Sequence, residues 1–475
     1  MNALRSDAKY LSQTDAIMWM VEKDPLLRST ILGIAILDSP PDWLQLQARV
    51  EHVIDQVPSL RHRVQAMPLH RSTLRWAVDS DFDLARHVHR VELAEPGGLS
   101  DVLEFARKSA SEGFDRSRPL WNFTIIEGLA KGQAAFVMKV HHVLTDGVGS
   151  VQLAAYLFDF ESPSKTVSTT SRVMPGSARE VRAAEAHDPL GLFRDVVEHD
   201  VDGIIDFARR SAPSVLRNLV RALRHPREVL TETIELARSI GRTVAPVTST
   251  MSSIMAGRDT TSEFRVMDVS LKHLHDAAKA AGGTVNDGFL AGITGGLRRY
   301  HERHGAVADE LRVAMPISLR VQDDVPGGNH VTVMRFKVPV GTANPTERIG
   351  ALHQIAKEIR SERSLEYTGA IAGALNLLPT QVIGSMLKRV DFLASNVPGV
   401  PIPMYLLGSK VTHFYPFGPT AGSAVNITLM SYRNRCYLGV NIDTTAIPDP
   451  DIFMRCLKAG FAEVLRLESA ESATA

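Results

Sequence analysis

The sequence predicts a mixed α/β fold, of the α/β or α+β two-layer kind, in each of two halves of the chain. Short β-branched and apolar runs that are typical of strands, such as residues 30–37, alternate with segments of helical spacing, such as 43–57. The same mixture recurs beyond a polar, Ser/Thr-rich stretch at 160–185. Strands and helices mixed within each half are the order expected when helices pack on a sheet.

The first half opens with a predicted helix at 16–21, for which Thr14 or Asp15 is the N-cap. The elements that follow are a strand at 30–37, a helix at 43–57, a segment at 74–78, a helix at 103–110, and strands at 119–126 and 135–140. A turn at Lys131-Gly132 joins the last two strands into a hairpin. His87 and His89 alternate in a polar loop and are interpreted as surface residues.

The second half begins near Phe264, and its best-marked element is a helix from 284 to 299. Thr284 is the predicted cap of this helix and Asp287 stands in its first turn. The other elements are helices at 271–281, 347–361 and 452–467, strands at 311–319, 331–340 and 392–396, and a hairpin of 425–431 with 437–442. The predicted division is therefore 1–165, a linker and helical connection at 166–260, and 261–475.

Composition excludes several classes of protein. The 475 residues are 44% hydrophobic and 22% charged, as in an ordinary globular protein. Lys plus Arg equals Asp plus Glu at 53 each, which argues against a nucleic-acid binder. The two cysteines, Cys436 and Cys456, exclude a disulfide framework and favour a reducing compartment. The chain shows neither a secretory signal at its N-terminus nor a membrane-spanning run.

Two segments leave open the question of whether the chain contacts lipid. Residues 209–227 combine an apolar stripe with arginines. This pattern fits either a surface helix packed on a domain or a basic amphipathic segment on an anionic membrane. Residues 368–387 are apolar and uncharged but are interrupted by Asn376 and Pro379. They describe either a buried pair of helices or a surface that dips into lipid.

The strongest chemical signal is His141-His142, followed by three residues and then Asp146-Gly147. Neighbouring side chains on a strand point to opposite faces, so one histidine can face a cavity while the other faces the protein body. A histidine beside open space is suited to act as a general base near neutral pH. A single histidine is more often a surface or core residue, but this complete pattern after a strand is much rarer.

The sequence lacks the motifs of several other classes of enzyme. The chain has no Gly-x-Ser-x-Gly elbow, no Walker loop and no dinucleotide fingerprint. His301 and His304 flank Glu302, but their spacing is not that of a zincin, so no metal site is predicted.

The whole chain resembles the bacterial wax ester synthase/diacylglycerol acyltransferase family, within the superfamily of CoA-dependent acyltransferases. The string from His141 to Gly147 looks like the active-site string of that superfamily. The narrower likeness is carried by Leu11-Ser12 with Asp15, Pro119-Leu120-Trp121, Asn286-Asp287, residues 315–320 and residues 395–399. Asn122 and Val400 depart from the family pattern, where an acidic residue and a proline are common.

The resemblance implies two chloramphenicol-acetyltransferase-like domains that form a pseudo-dimer, with an active-site tunnel where they meet. His142 would be the general base and His141 its structural neighbour. Asp146 would pair with Arg320 in the scaffold, and Gly147 would keep the tunnel open. Asn286 is a candidate oxyanion donor or, equally, a helix cap or interdomain contact. The residues expected along the tunnel are Pro119, Trp121, Asn396, Pro398 and Gly399.

The implied function is O-acyl transfer from long-chain acyl-CoA to diacylglycerol, to a long-chain alcohol, or to both, without a covalent intermediate. Acyl-CoA would be a substrate, and no cofactor is expected. The alternatives are a condensation-type enzyme that uses carrier-bound acyl groups and a non-catalytic lipid-surface protein. A cytoplasmic protein is expected, with peripheral contact to the inner membrane face or to lipid droplets as a further option. Nucleic acid is not an expected partner, and the oligomeric state is left open.

Overall fold

The computed structural model describes residues 10–66, 74–144, 153–160, 249–318, 331–360, 375–376 and 379–471. These residues belong to one compact unit that comprises 1–162 and 243–475. A second unit, 163–242, lies outside the described residues, and so does the amphipathic segment 209–227.

The described chain contains both strands and helices in each half. The strands are β1 (Thr30–Leu37), β2 (His62–Ala66), β3 (Leu74–Val78), β4 (Val88–Gly97), β5 (Trp121–Leu129), β6 (Ala134–His141), β7 (Ser262–Ser270), β8 (Glu310–Ser318), β9 (Val331–Pro339), β10 (Phe392–Val397), β11 (Tyr405–Leu406), β12 (Ser409–Phe417), β13 (Val425–Tyr432) and β14 (Arg435–Asp443). The helices are α1 (Gln13–Val21), α2 (Trp43–Gln56), α3 (Leu99–Ser111), α4 (Leu271–Ala280), α5 (Val285–Arg303), α6 (Pro345–Arg360), α7 (Thr380–Leu387) and α8 (Pro450–Glu471). The mixed α/β class predicted from the sequence is confirmed.

The first sheet has the order β11-β12-β1-β6-β5-β4. The predicted hairpin is confirmed, because β5 and β6 pair antiparallel, and β6 also pairs antiparallel with β1. The strand that carries His141 is therefore central, and all of its side chains are buried. A buried strand between two neighbours makes a rigid support for the residues at its end.

The second sheet has the order β7-β14-β13-β10-β8-β9. The predicted hairpin of β13 and β14 is confirmed, and Arg433 turns between them with a positive φ of 55°. Strand β10 lies between β13 and β8 and is parallel to both. The chain turn after β10 therefore opens at the same edge as the C-terminal end of β13.

Strands β11 and β12 belong to the C-terminal part of the sequence but lie in the first sheet. Strand β12 pairs antiparallel with β1, from Leu32 opposite Phe417 to Leu37 opposite Val411. The sequence had predicted no element in this stretch. The proposed boundary at 261 stays a prediction for the chain, but the first sheet itself draws strands from both sides of it.

The two sheets also contact each other through β12. The rings of Phe264 and Phe417 stack at 4.3 Å, and those of Tyr415 and Tyr437 meet edge to face at 5.4 Å. At Gly439 an added Cβ would lie 1.7 Å from the carbonyl oxygen of Pro416, so the crossing requires glycine. Phe264 and Tyr437 consequently belong to the apolar core under the first sheet.

Two expectations for the first half were wrong. Ser12 caps α1, not Thr14 or Asp15, and its hydroxyl accepts the backbone N–H of Asp15. His87 is not a surface residue: it is 3% exposed and its ring stacks between Phe82 and Trp121. The polar run after it forms β4, an edge strand, and edge strands carry charged residues that hide the strand pattern.

Candidate active site

The two histidines stand at the end of β6, and neighbouring chain segments hold their backbone on both sides. The N–H of His141 donates to the carbonyl of Leu120 at 3.0 Å, just before β5. The N–H of His142 donates to the carbonyl of Ser29 at 2.8 Å, just before β1. The turn begins at once, because Leu144 N–H donates back to the His141 carbonyl at 3.0 Å.

The side chain of His141 is turned into the protein body and is 1% exposed. Its Nε2 lies 2.5 Å from Oε2 of Glu22, at the C-terminal end of α1. Its Nδ1 accepts the backbone N–H of Val143 at 3.1 Å. The rings of Trp19 and Phe114 meet it edge-on, each at 6.0 Å.

The carboxylate of Glu22 is buried and has two neighbours, the imidazole of His141 and the guanidinium of Arg116. Burial alone would raise its pKa, but the hydrogen bond from His141 and the charge of Arg116 hold the pKa of Glu22 below its ordinary value. Arg116 Nη2 lies 3.4 Å from the same carboxylate oxygen and donates to the carbonyl of Trp19 at 2.6 Å. The sequence did not point to Glu22 or Arg116, because nothing in their spacing links them to the histidine string.

Lys139 lies two residues before His141 and so on the same face of β6. It is 5% exposed, and its Nζ donates to the carbonyl of Glu112 at 2.9 Å and lies 4.6 Å from the centre of the Phe114 ring. Burial lowers the pKa of Lys139 to about 8. This face of the strand therefore carries an unusual buried charge cluster beside the turn.

His142, on the other side of the alternation, is half-buried. The structure therefore separates the pair into a fixed, buried His141 and a more accessible His142. Asp146, Gly147 and Arg320 lie outside the described residues, and the ion pair expected between Asp146 and Arg320 stays a prediction.

Asn286 and Asn396 are brought together although 110 residues separate them. Asn286 is the second residue of α5, and its Oδ1 accepts a hydrogen bond of 3.0 Å from Nδ2 of Asn396 near the end of β10. With Oδ1 engaged in this way, the amide nitrogen of Asn286 is directed away from Asn396. The helix beneath is capped by Thr284, whose N–H and hydroxyl both donate to Asp287 at 2.8 Å.

The other residues expected along a tunnel have diverse surroundings. Trp121 is 0% exposed and donates from Nε1 to the carbonyl of Leu60 at 2.8 Å, so its side chain belongs to the core and faces no open channel. Pro119 is buried, whereas Pro398 is exposed. Gly399 is required by a close approach, since a Cβ there would lie 1.6 Å from the carbonyl oxygen of Ser431.

The other histidines singled out by their spacing have protein partners. His301 is 1% exposed, with Nε2 at 2.8 Å from the Ser252 hydroxyl and Nδ1 at 2.8 Å from the Leu297 carbonyl. His304 Nε2 lies 3.0 Å from Asp449.

None of the helices in the described ranges has the length and apolar character needed to cross a bilayer.

Two family models match the chain in succession. The wax ester synthase/diacylglycerol acyltransferase catalytic domain matches residues 11–289, and the C-terminal domain of the same family matches 327–464. The histidine string and Asn286 fall in the first match, whereas β10 to β14 fall in the second.

Similar proteins cover almost the whole chain. A Mycobacterium tuberculosis protein inferred to be a diacylglycerol O-acyltransferase is 35% identical over 460 residues, which is 96% of this chain and 92% of the relative. Another, tgs1 of the same species and likewise inferred to be a diacylglycerol O-acyltransferase, is 24% identical over 455 residues, 93% of this chain and 92% of that protein.

Solved structures agree on the fold. The wax ester synthase/diacylglycerol acyltransferase from Marinobacter aquaeolei VT8 superposes with a TM-score of 0.62 at 21% identity, over 97% of this chain and all of that one (100%). The first condensation domain of the CDA synthetase superposes with a TM-score of 0.57 at 12% identity, over 98% of this chain and 97% of its own. The family matches and the 35% identical relative together decide the classification: this chain belongs to the wax ester synthase/diacylglycerol acyltransferase family and is an acyltransferase.

Proposed function

We propose that the chain transfers a long-chain acyl group from acyl-CoA to the hydroxyl of a lipid, either diacylglycerol, a long-chain alcohol, or both. The observation that carries the proposal is the histidine string at the end of the central strand β6, in a chain that matches both domains of the family. The names of the two tuberculosis relatives support diacylglycerol as the acceptor.

His142 is the general base of the proposed reaction. It takes the proton of the acceptor hydroxyl while the hydroxyl oxygen attacks the thioester carbonyl carbon. The tetrahedral oxyanion collapses, the carbon–sulfur bond breaks, and the histidinium returns the proton to the CoA thiolate. Both substrates are held together, so no acyl-enzyme and no cofactor are required.

Asn286 is the proposed oxyanion donor. Its Oδ1 accepts from Asn396 at the start of α5, so the donors that its amide can offer are the N–H groups of Nδ2. The N-terminal end of a helix also favours negative charge. An amide donor held in place by a second amide suits charge that develops only in the transition state.

The test is one assay with labelled palmitoyl-CoA and purified protein, in the presence of diacylglycerol, of hexadecanol, or of neither. Ester product and free thiol in equal amounts, dependent on a lipid hydroxyl, support the proposal and identify the acceptor. Absence of turnover with every acceptor would leave the non-catalytic lipid-surface protein. Turnover only with an acyl group on a carrier protein would replace the proposal with the condensation-type reaction.

The same assay tests the base. His142→Ala should lower kcat by about 10²- to 10⁴-fold, the usual contribution of general acid–base catalysis. Its circular dichroism spectrum and urea midpoint should match those of the parent chain, since His142 is only half-buried. Turnover undiminished in the folded variant removes His142 from the mechanism.

We also propose that the reaction takes place at a lipid surface that the chain contacts peripherally, from the cytoplasmic side. The described helix α7 supports this, since Val382 is 44% exposed and Leu387 is 37% exposed. Val382→Asp should weaken flotation with vesicles that contain phosphatidylglycerol and diacylglycerol. Leu44→Asp is the matched control, because Leu44 is 73% exposed on α2. Equal loss in both variants would contradict a specific contact.

A further inference from the structure

The carboxylate of Glu22 lies beside the active-site turn, although Glu22 is not part of the string from His141 to Gly147. Glu22 caps the C-terminal end of α1, its side chain is 9% exposed, and Oε2 lies 2.5 Å from Nε2 of His141. A buried carboxylate this close to a histidine fixes where the imidazole keeps its proton.

The second ring nitrogen determines the tautomer. Val143 N–H donates to Nδ1 of His141 at 3.1 Å, and a nitrogen that accepts a hydrogen bond carries no proton. Neutral His141 therefore carries its proton on Nε2, where it donates to Glu22. The two hydrogen bonds lie on opposite sides of the ring and both require the same tautomer.

That tautomer is tied to the backbone that carries His142. Successive N–H groups of the turn are each held: that of His142 by the Ser29 carbonyl, that of Val143 by the His141 ring, and that of Leu144 by the His141 carbonyl. The acceptor of the middle bond is a side chain, so it depends on the protonation pattern of the ring. In the opposite tautomer, or in the imidazolium, Val143 would face a second N–H instead of an acceptor.

We propose that Glu22 is a positioning residue for acyl transfer: it holds His141 in the Nε2–H tautomer, and His141 thereby holds the turn that aims His142. The inference rests on the proposed role of His142 as base. Arg116 assists from the other side, since it lies 3.4 Å from the same oxygen and its guanidinium lies 3.9 Å from the centre of the Trp19 ring.

The surroundings of Glu22 allow a sharp test. A cavity of about 250 Å³ adjoins His141, and its walls include Trp19, Glu22, Lys23, Arg28, Phe114 and Arg116. Removing the Glu22 carboxylate leaves room for a small anion, and the cations of this wall attract one. Glu22→Ala should therefore respond to added formate or acetate.

The experiment compares Glu22→Ala and Glu22→Gln in the full chain, with kcat and KM measured for both substrates. Glu22→Ala should lower kcat about 10- to 100-fold, as loss of the group that orients a functional histidine usually does, and leave each KM almost unchanged. Formate should restore part of kcat. Glu22→Gln should lose less of kcat, because its amide oxygen still accepts from Nε2–H. Formate should not raise the kcat of this variant, because the glutamine side chain fills the space of the carboxylate.

Glu104→Ala is the control for loss of a surface carboxylate. Glu104 is paired with Arg107 on α3 and is half-exposed. Its removal should change neither kcat nor the response to formate. If Glu22→Ala does not fold, Glu22→Gln keeps the volume, and its smaller loss of kcat with unchanged KM carries the test.

The tautomer itself is measured by nitrogen-15 NMR of labelled histidine, with the His141 signals assigned by their loss in His141→Gln. The parent chain should show His141 protonated on Nε2, Glu22→Ala should show a mixture of tautomers, and Glu22→Gln should stay closer to the parent. An unchanged tautomer, or full kcat in Glu22→Ala, overturns the inference even if His142→Ala is inactive. Full turnover in His142→Ala would instead refute the base, while the tautomer of His141 would still report on Glu22.

Discussion

Two buried charge clusters, one in each half, show different uses of the same chemistry. In the first half, Glu22, Arg116 and His141 meet at the end of β6, beside a cavity. In the second half, Arg348 is 0% exposed and lies 3.1 Å from Glu463. In both clusters a cation lies beside a carboxylate, but Arg348 is fully buried whereas the side chain of Arg116 is 35% exposed, and the surroundings of the two pairs differ.

The guanidinium of Arg348 is surrounded by acceptors from α5, from α8 and from the loop before α6. It donates to the carbonyls of Ala291, Thr342 and Ala343 at 3.1, 2.8 and 3.2 Å, as well as to Glu463. It thereby joins α5, α6 and α8. The first cluster instead orients a histidine next to open space. Buried charge alone therefore does not mark a functional site; the turn and the cavity beside it do.

The largest effect is expected from Arg348→Ala. Removing the cation takes the donor away from Oε2 of Glu463 and from the carbonyls of Ala291, Thr342 and Ala343, whereas Arg298 and Arg299 still pair with Oε1 of Glu463. Because each buried acceptor left without its donor costs about 1–3 kcal/mol, the loss of unfolding free energy should be about 3–5 kcal/mol. Urea denaturation measures the loss, and kcat per folded molecule should be unchanged. Arg107→Ala, which breaks the exposed pair with Glu104, should cost less than about 1 kcal/mol. A fall in kcat without a loss of stability would erase the distinction between the clusters.

Asn286→Ala tests whether the second half also supplies chemistry. If its amide stabilises the oxyanion, kcat should fall about 10²- to 10³-fold with little change in stability. Asn396→Ala, which removes only the partner of Asn286, should lower kcat less. Equal and small effects of both variants would restrict the pair to a structural contact between α5 and β10.

Lys139→Met tests the cost of a buried charge next to the first cluster, on the same face of β6. The pKa of Lys139 is lowered to about 8 from its ordinary 10.5, so between these values the unfolded chain binds a proton that the folded chain has released. The stability of the parent should therefore rise with pH from 8 to 10.5, by on the order of 2–3 kcal/mol. The variant should lack this rise when urea midpoints are compared across the window. An identical pH dependence would mean that Lys139 is solvated.

Trp121→Phe should have the smallest effect and tests the expected tunnel contact. The variant loses the hydrogen bond to the Leu60 carbonyl and leaves that buried acceptor unpaired, at a cost of about 1–2 kcal/mol. Thermal unfolding reports the loss. Because the side chain is 0% exposed, KM for acyl-CoA and acceptor should not change. A raised KM would return Trp121 to the substrate channel.

The sequence predicted the interior well, because buried strands and amphipathic helices leave a local pattern. Strand β1 has its predicted bounds, and the string that places His141 and His142 after a buried strand is local as well. Strand β4 was missed because it is a polar edge strand, and β12 because its partner β1 lies about 370 residues earlier. A sequence pattern does not report contacts over such distances.

The same limit applies to the candidate site. The motif separated His142 from His141, but the carboxylate that holds His141 lies 119 residues away, on another element. His87 was placed at the surface because its neighbours in sequence are polar, whereas its neighbours in space are Phe82 and Trp121. The pairing of Asn286 with Asn396 likewise required the fold, since 110 residues separate the two in the sequence.

The position of β12 has a consequence for how this chain is made. While a ribosome is still synthesising the protein, the strand that carries His141 is available early, but the far edge of β1 has no partner until residue 417 has emerged. Through that interval an apolar strand presents unpaired backbone groups, the kind of edge that recruits strands of other chains. Slow translation or a stop codon before 409 should therefore yield aggregates rather than a free N-terminal half, and chaperone demand should peak late in synthesis.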